Sequence, residues 1–326
     1  MSKRILQIMY FILPNPYLSE LFRFFEMQNQ KSMKITGVTI IRNAVKNDYP
    51  VVEAINSILP MVDEMIVSID RGEDSTEQLI RSIASDKIHI VYSDWDMSLS
   101  KGGKVYALET DKAIAHVSAD TDWIFYIQAD EAIHEKYYTT ILQAAEKYRT
   151  NDKVQGLLFK YLHFYATYDY VGDSRKWYNY EVRMIKNDKR ITSYKDAQGF
   201  RIGERKLDVV LIDAEVYHYG WVKNPQQMRQ KQKDTDRYYL GEGFQQNTSP
   251  LSTPEVYDFE KNYDSLKKFT GTHPAVMHQR IAQKNWQIEL DLSQKKFTLK
   301  EKFLFWFEKK TGKRLFDFKN YRLIKL

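Results

Sequence analysis

From Lys34 onward, short apolar runs alternate with stretches whose apolar residues recur at helical spacing. ITGVTIIRNA reads as a strand and YPVVEAINSILPMV as a helix. EMIVSID and STEQLIRSIAS repeat that order, then IHIVYSDW and GKVYALETDKAIAHV, and WIFYIQADE supplies a fourth strand. Such alternation implies βαβ units: a mainly parallel, Rossmann-like α/β sheet with right-handed crossovers and flanking helices. In these sheets ligands bind beyond the carboxyl ends of the strands. Arg42, Asn43, Asp70, Asp94 and Asp130 each stand at a strand end, so one edge should gather them.

The fourth strand carries a chemical tension. Trp123 to Ile127 are apolar or aromatic, yet Gln128, Asp130, Glu131, His134 and Glu135 follow at once. Burying a carboxylate is costly unless it is paired or holds a metal. The chain has no GxGxxG after its first strand and no GxxxxGK[ST], so the backbone cradles for phosphate are missing. A nucleoside diphosphate bound without them needs another source of positive charge. A divalent ion held by strand-end carboxylates is one such source.

Charge narrows the partners. The formal net charge of +6 is concentrated in residues 295–326, whose 11 Lys/Arg and 3 Asp/Glu give +8 and leave the remainder at −2. A nearly neutral body with a basic tail is not a nucleic-acid groove. Cysteine is absent, which removes disulfides and thiolate chemistry and fits a reducing compartment. Residues 1–33 begin with a basic, short apolar run broken by Pro14 and Pro16. They read as an extension outside the fold rather than a signal peptide or a membrane span.

After residue 150 the pattern loosens. GLLFKYLHFYATYDY and KWYNYEVRMIKNDKRI read as strands of a mixed part, and DVVLIDAEVYHYGWV as a strand with a turn. Residues 223–326 read as mainly helical: a helix from Pro225, a polar loop to about residue 260, then a basic aromatic end. The aromatic run His163, Phe164, Tyr165, Tyr168, Tyr170, Trp177 and Tyr178 suits either a sugar platform or a half-buried sheet. Arg183 suits a phosphate or a pairing with Glu181.

The segments DEMIVSIDRGEDST and DWIFYIQADEAIHE, in this order and separation, resemble glycosyltransferase family 2 enzymes of the GT-A fold, over residues 34–222. The resemblance implies transfer of a sugar from a nucleotide-sugar donor to a glycan or lipid-linked hydroxyl acceptor, with inversion and Mg2+ or Mn2+. It implies that Asp70, with Asp74 and the strand-end Arg42, contacts the nucleotide. Asp130 matches the second acid of an Asp-x-Asp motif, and His218 the late histidine that completes the metal site. Gln128 replaces the first acid with an amide that can bond a ribose hydroxyl but lends a metal no charge. Lys104 and Asp111 fall where members touch the donor, and Asp196 falls where they place the general base. Two alternatives stand beside this reading: a nucleotidyltransferase, though IIRNAVKND lacks a Gly-rich basic loop, and an inactive relative that only binds nucleotide sugar or glycan. In the tail, Phe303, Trp306 and Phe307 recur on one helical face among Lys302, Lys309, Lys310, Lys313 and Arg314. That pattern suits either a helix face packed onto the catalytic domain with its lysines in solvent or a cytoplasmic protein held peripherally at the inner membrane face.

Overall fold

The computed structural model describes residues 32–99, 101–240 and 255–326. The expected extension at 1–33 lies outside them apart from its last two residues. Lys34–Leu326 form one compact unit. Strands β1 (Ile35–Ile41), β2 (Glu64–Asp70), β3 (Ile88–Ser93) and β4 (Trp123–Tyr126) run parallel in the order β3-β2-β1-β4. Their connections carry α1 (Val51–Ile58), α2 (Thr76–Arg81) and α3 (Lys104–Ala115).

Local chemistry explains these elements. In α1, Val51, Ala54, Ile55 and Ile58 are buried, an apolar stripe at one helical face. All seven residues of β1 are buried, as a central parallel strand covered on both faces requires. Two carboxylates anchor the strand's entry: Asp63 accepts from the Ile35 amide and Asp122 from the Lys34 amide, each at 2.8 Å.

Past β4 the sheet becomes mixed. A turn at residues 129–130 leads into β5 (Glu131–Ile133), followed by α4 (Tyr138–Tyr148), β6 (Gly156–Gly172) and β7 (Tyr180–Lys186). Strand β7 lies antiparallel between β4 and β6. A separate three-stranded sheet holds β8 (Ile191–Tyr194), β9 (Gly199–Ile202) and β10 (Arg205–Lys206). Strand β11 (Asp208–Val222) then runs parallel to β6 and antiparallel to β5. The turn expected inside its sequence is instead a pair of register shifts in one continuous strand. The long β6 partner keeps offering backbone hydrogen bonds, so the irregularity is absorbed as bulges.

Residues 223–326 supply α5 (Pro225–Leu240), α6 (Phe259–Asn262), β12 (Leu266–Lys268), α7 (His278–Ala282), α8 (Leu299–Thr311) and β13 (Arg322–Leu323). Strands β12 and β13 extend the sheet by pairing with β6 and β11. Most of the polar loop expected after α5 falls at 241–254, outside the described residues. No described helix is long and apolar enough to cross a membrane.

Candidate functional site

The ends of β1 and β2 are tied together at the carboxyl edge. Arg42 Nη1 meets Asp70 Oδ2 at 2.7 Å, and Asp70 Oδ1 accepts from the Trp95 amide at 2.9 Å. Asp70 is thereby buried and committed, while Arg42 reaches a cavity that it lines together with Gln128, Asp130, Asp196 and Lys231. Asp94 sits at the same edge but in solvent, facing Arg71 at 3.8 Å.

Asp130 occupies the turn after β4. Its Oδ2 accepts from Lys231 Nζ at 3.1 Å, and the same ammonium donates to the Gly220 carbonyl at 2.8 Å and lies over the Tyr49 ring. Burial opposes the charge on Asp130, but the Lys231 ammonium outweighs it and holds the carboxyl well below the usual carboxylate range. Glycine is required at 220: a Cβ there would stand 2.5 Å from Asp130 Oδ2 and 2.7 Å from the His218 ring. Behind Lys231 lies Lys223, fully buried against the Asp48 carbonyl and pushed down to about 7 by that burial.

His218 faces the other oxygen of Asp130, with Nε2 at 3.7 Å from Oδ1. Its tautomer follows from its neighbours. The Tyr178 carbonyl can only accept, so it takes the Nε2–H of His163 at 2.9 Å. Burial keeps both imidazoles neutral, which leaves His163 Nδ1 to accept from His218 Nδ1–H at 3.3 Å. His218 Nε2 therefore presents a lone pair toward a carboxylate oxygen. Two acceptors facing one another are satisfied when a cation lies between them.

Asp130 and His218 are the two groups here that could hold a divalent cation, although Lys231 already provides Asp130 with a counter-charge. Among the described residues, no group of three or more His, Asp or Glu side chains converges as a closed metal cage.

Asp196 lies on the loop between β8 and β9 and also lines the cavity, accepting from the Tyr239 hydroxyl at 2.8 Å. Gln128 is held by a long bond from Nε2 to the Ala197 carbonyl, 3.4 Å. The other expected residues do not line the cavity. Asp74 caps the following turn, accepting from the Thr76 and Lys46 amides. Lys104 is exposed at the start of α3. Asp111 ties α3 to β8 through the Ser193 amide at 2.7 Å, and burial pushes it up to about 6.

The second acid after β4 has another task. Glu131 is fully buried and receives Arg183 through both Nε (2.9 Å) and Nη2 (2.7 Å), with further bonds from Tyr161 and the Gln128 amide. Arg183 thus pairs with Glu131, not with Glu181 or a phosphate, and the pair fixes the turn that aims Asp130. Two cationic contributors escaped sequence reasoning, Lys231 and Lys223. A signal for the first existed in α5: Met228, Lys231, Thr235 and Tyr239 stand at i, i+3, i+7 and i+11, one stripe down the helix. Met228 is buried, and the other three line the cavity.

No protein-family profile matches the chain, and no curated protein does. Solved structures are similar at low identity. S. aureus TarS is 13% identical, with 62% of this chain aligned to 39% of that one at a TM-score of 0.35. The 4-diphosphocytidyl-2C-methyl-D-erythritol synthase of Anaerococcus prevotii is 12% identical, with 59% of this chain covering 93% of it at 0.37. Glucosyl-3-phosphoglycerate synthase from Mycobacterium tuberculosis, solved with Mn2+ and UDP-glucose, is 22% identical, with 41% of this chain covering 44% of it at 0.28. The chain thus spans about two fifths of the TarS structure's length.

Proposed function

We propose that the protein transfers a sugar from a nucleotide-sugar donor to a hydroxyl acceptor, with inversion. The observation that carries this reading is the composition of one cavity at the carboxyl edge of the parallel strands. It combines two cations, Arg42 and Lys231, with the rings of Trp95 and Tyr106 and with two carboxylates, Asp130 and Asp196.

Lys231 and Arg42 meet the donor's diphosphate through charge-assisted hydrogen bonds. Trp95 and Tyr106, edge to face at 5.6 Å, give the nucleobase an aromatic wall. Gln128 bonds a ribose hydroxyl. Asp130 and His218 are the residues that would hold a divalent cation such as Mg2+ or Mn2+, and a bound ion there would supply positive charge to the departing nucleoside diphosphate. Asp196 takes the proton of the acceptor hydroxyl. The acceptor oxygen then bonds to the anomeric carbon, whose bond to the diphosphate oxygen breaks with its electron pair leaving on the nucleotide.

The catalytic part corresponds to residues 34–222, with 223–326 supplying Lys231 and the tail. The acceptor is a glycan or a lipid-linked saccharide in the cytoplasm, and α8 rests on the inner membrane face. The transferase reading is tested by release of nucleoside diphosphate from a panel of nucleotide sugars, with Mn2+ and with EDTA. Asp130→Asn should abolish release while leaving the fold unchanged. Asp196→Asn should lower the rate about 10²–10⁴-fold and leave nucleotide binding intact. Binding without release from any donor would make the protein a nucleotide-sugar receptor, and full activity in EDTA would remove the cation from Asp130.

A further inference from the structure

A second cavity borders the first and shares three of its walls: Gln128, Asp196 and Tyr239. The candidate base therefore faces both. The lining of the two differs in kind. In the second, aromatic residues from β6, β11 and the segment after β6 come together. Trp177 and Trp221 stand 6.3 Å apart at 81°, and Tyr257 is 6.3 Å from Trp221. Trp177 is 7% exposed and held by its surroundings, whereas Trp221 is 36% exposed and presents its indole to the opening.

Between the rings stand hydrogen-bonding groups: the amides of Gln128, Gln198, Gln232 and Asn262 and the imidazoles of His163 and His218, the latter also facing Asp130. Formal charge is sparse. Besides Asp196, only Lys176 contributes, and its ammonium is exposed and bonded to the Asn262 carbonyl at 2.9 Å. An acceptor carrying a phosphate needs charge-assisted donors, and among the described residues this lining offers only Lys176, whose ammonium is bonded to the Asn262 carbonyl. A lipid chain needs a wall free of amides, because polar groups covered by hydrocarbon lose their water without replacement. A pyranose meets both features of the lining: its C–H faces lie on the indole and phenol rings, and its hydroxyls both donate to and accept from amides.

We propose that this second cleft binds a neutral saccharide, stacked on Trp221 and Trp177, and directs one of its hydroxyls toward Asp196. The inference rests on the glycosyl-transfer reading and specifies its acceptor. Four of the seven residues of the expected aromatic run take part: Trp177 and Tyr178 from beyond β6, and two that strand alternation selects within it. His163 and Tyr165 face the cleft, while Phe164 and Tyr168 point to the other side of β6 and pack with Tyr217 and Tyr219.

The test is a glycan array carrying neutral, phosphorylated, sulfated and sialylated saccharides of mixed linkage, probed with the full-length protein with and without UDP. Signal confined to neutral saccharides is the expected result. Trp221→Ala should weaken it about tenfold or more, and Trp221→Phe should retain most of it, since the ring face survives. Binding of UDP and GDP, measured in parallel by calorimetry, should be unchanged in both variants. Signal that follows phosphate or sulfate, an absence of signal from every neutral saccharide, or neutral binding insensitive to Trp221→Ala overturns the proposal. Failure of the nucleotide arm with a positive glycan arm would instead overturn the transferase reading beneath it.

Discussion

Asp130 and Glu131 are neighbours in sequence with opposite fates, because a turn sends one side chain to the cavity and the other into the core. Glu131→Gln should destabilise the fold by about 3–5 kcal/mol, since it leaves the Arg183 guanidinium buried without its counter-charge. Chemical denaturation would measure this, and a loss under 1 kcal/mol would refute the anchoring role. Glu181 makes a second case. It is buried, its Oε2 has no hydrogen-bond partner among the described residues, and burial pushes its carboxyl up to about 8. The folded chain thus keeps a proton that the unfolded chain releases near its ordinary value of 4.5. Stability from this group is present below that value and is lost as pH rises toward 8. Glu181→Gln should flatten the fall in melting temperature between pH 6 and 8.5; an unchanged slope would assign the fall to another group. At this scale the sequence was partly legible. Arg42, Gln128 and Asp130 come together because parallel strand ends converge by topology, whereas Asp196 arrives on the β8–β9 loop and His218 from within β11. Asp74 and Asp111 are spent on backbone amides, Lys104 stays in solvent, and Lys231 comes from a helix whose register against the sheet no local pattern encodes.

At the scale of elements, α8 behaves differently from the other helices. Thr298 and Glu301 form a reciprocal capping box, and Gly312 closes the far end at φ 67°, so the helix is well terminated by its own sequence. Its attachments are polar: Arg175 bonds Glu308 at 2.9 Å, and Arg314 bonds the Trp177 and Ser174 carbonyls. The aromatic face is left outward, with Phe303 and Trp306 each 56% exposed. Arg314 is therefore used inside the protein, and Lys309 leans toward Asp173 at 3.9 Å. Among the described residues no ion pair engages Lys302, Lys310 or Lys313. At about 1 kcal/mol per basic residue, these three would give reversible rather than tight adhesion if the proposed contact with anionic lipid is made. Co-sedimentation with phosphatidylglycerol liposomes should succeed at low salt, weaken as salt rises, and fail for Phe303→Ser/Trp306→Ser. Binding that survives the double variant would place the contact elsewhere. The apolar spacing of this helix was readable from sequence. Which of its cations remain free was not, because their partners lie about 130 residues upstream.

For the whole molecule, the alternating first half was legible because each strand and helix carries its own periodicity and the crossover rule leaves few topologies. The second half was not, because β6 and β11 are partners chosen at a distance. Gly156 pairs with Val209 and His163 with His218, each across more than 50 residues. Pairings of that separation slow folding, so regain of tryptophan fluorescence after dilution from urea should lag helical circular dichroism. Coincident phases would show that the long ladder does not limit the rate.

That ladder has a consequence for the protein while it is being made. Asp130 leaves the ribosome 88 residues before His218 and 101 before Lys231. At about 5–20 residues per second, the carboxylate waits roughly 5–20 s for its cation. During that interval the proposed donor site lacks Lys231, and the proposed cation site lacks His218. The nascent chain must rely on its parallel half alone, and chaperone demand should peak there.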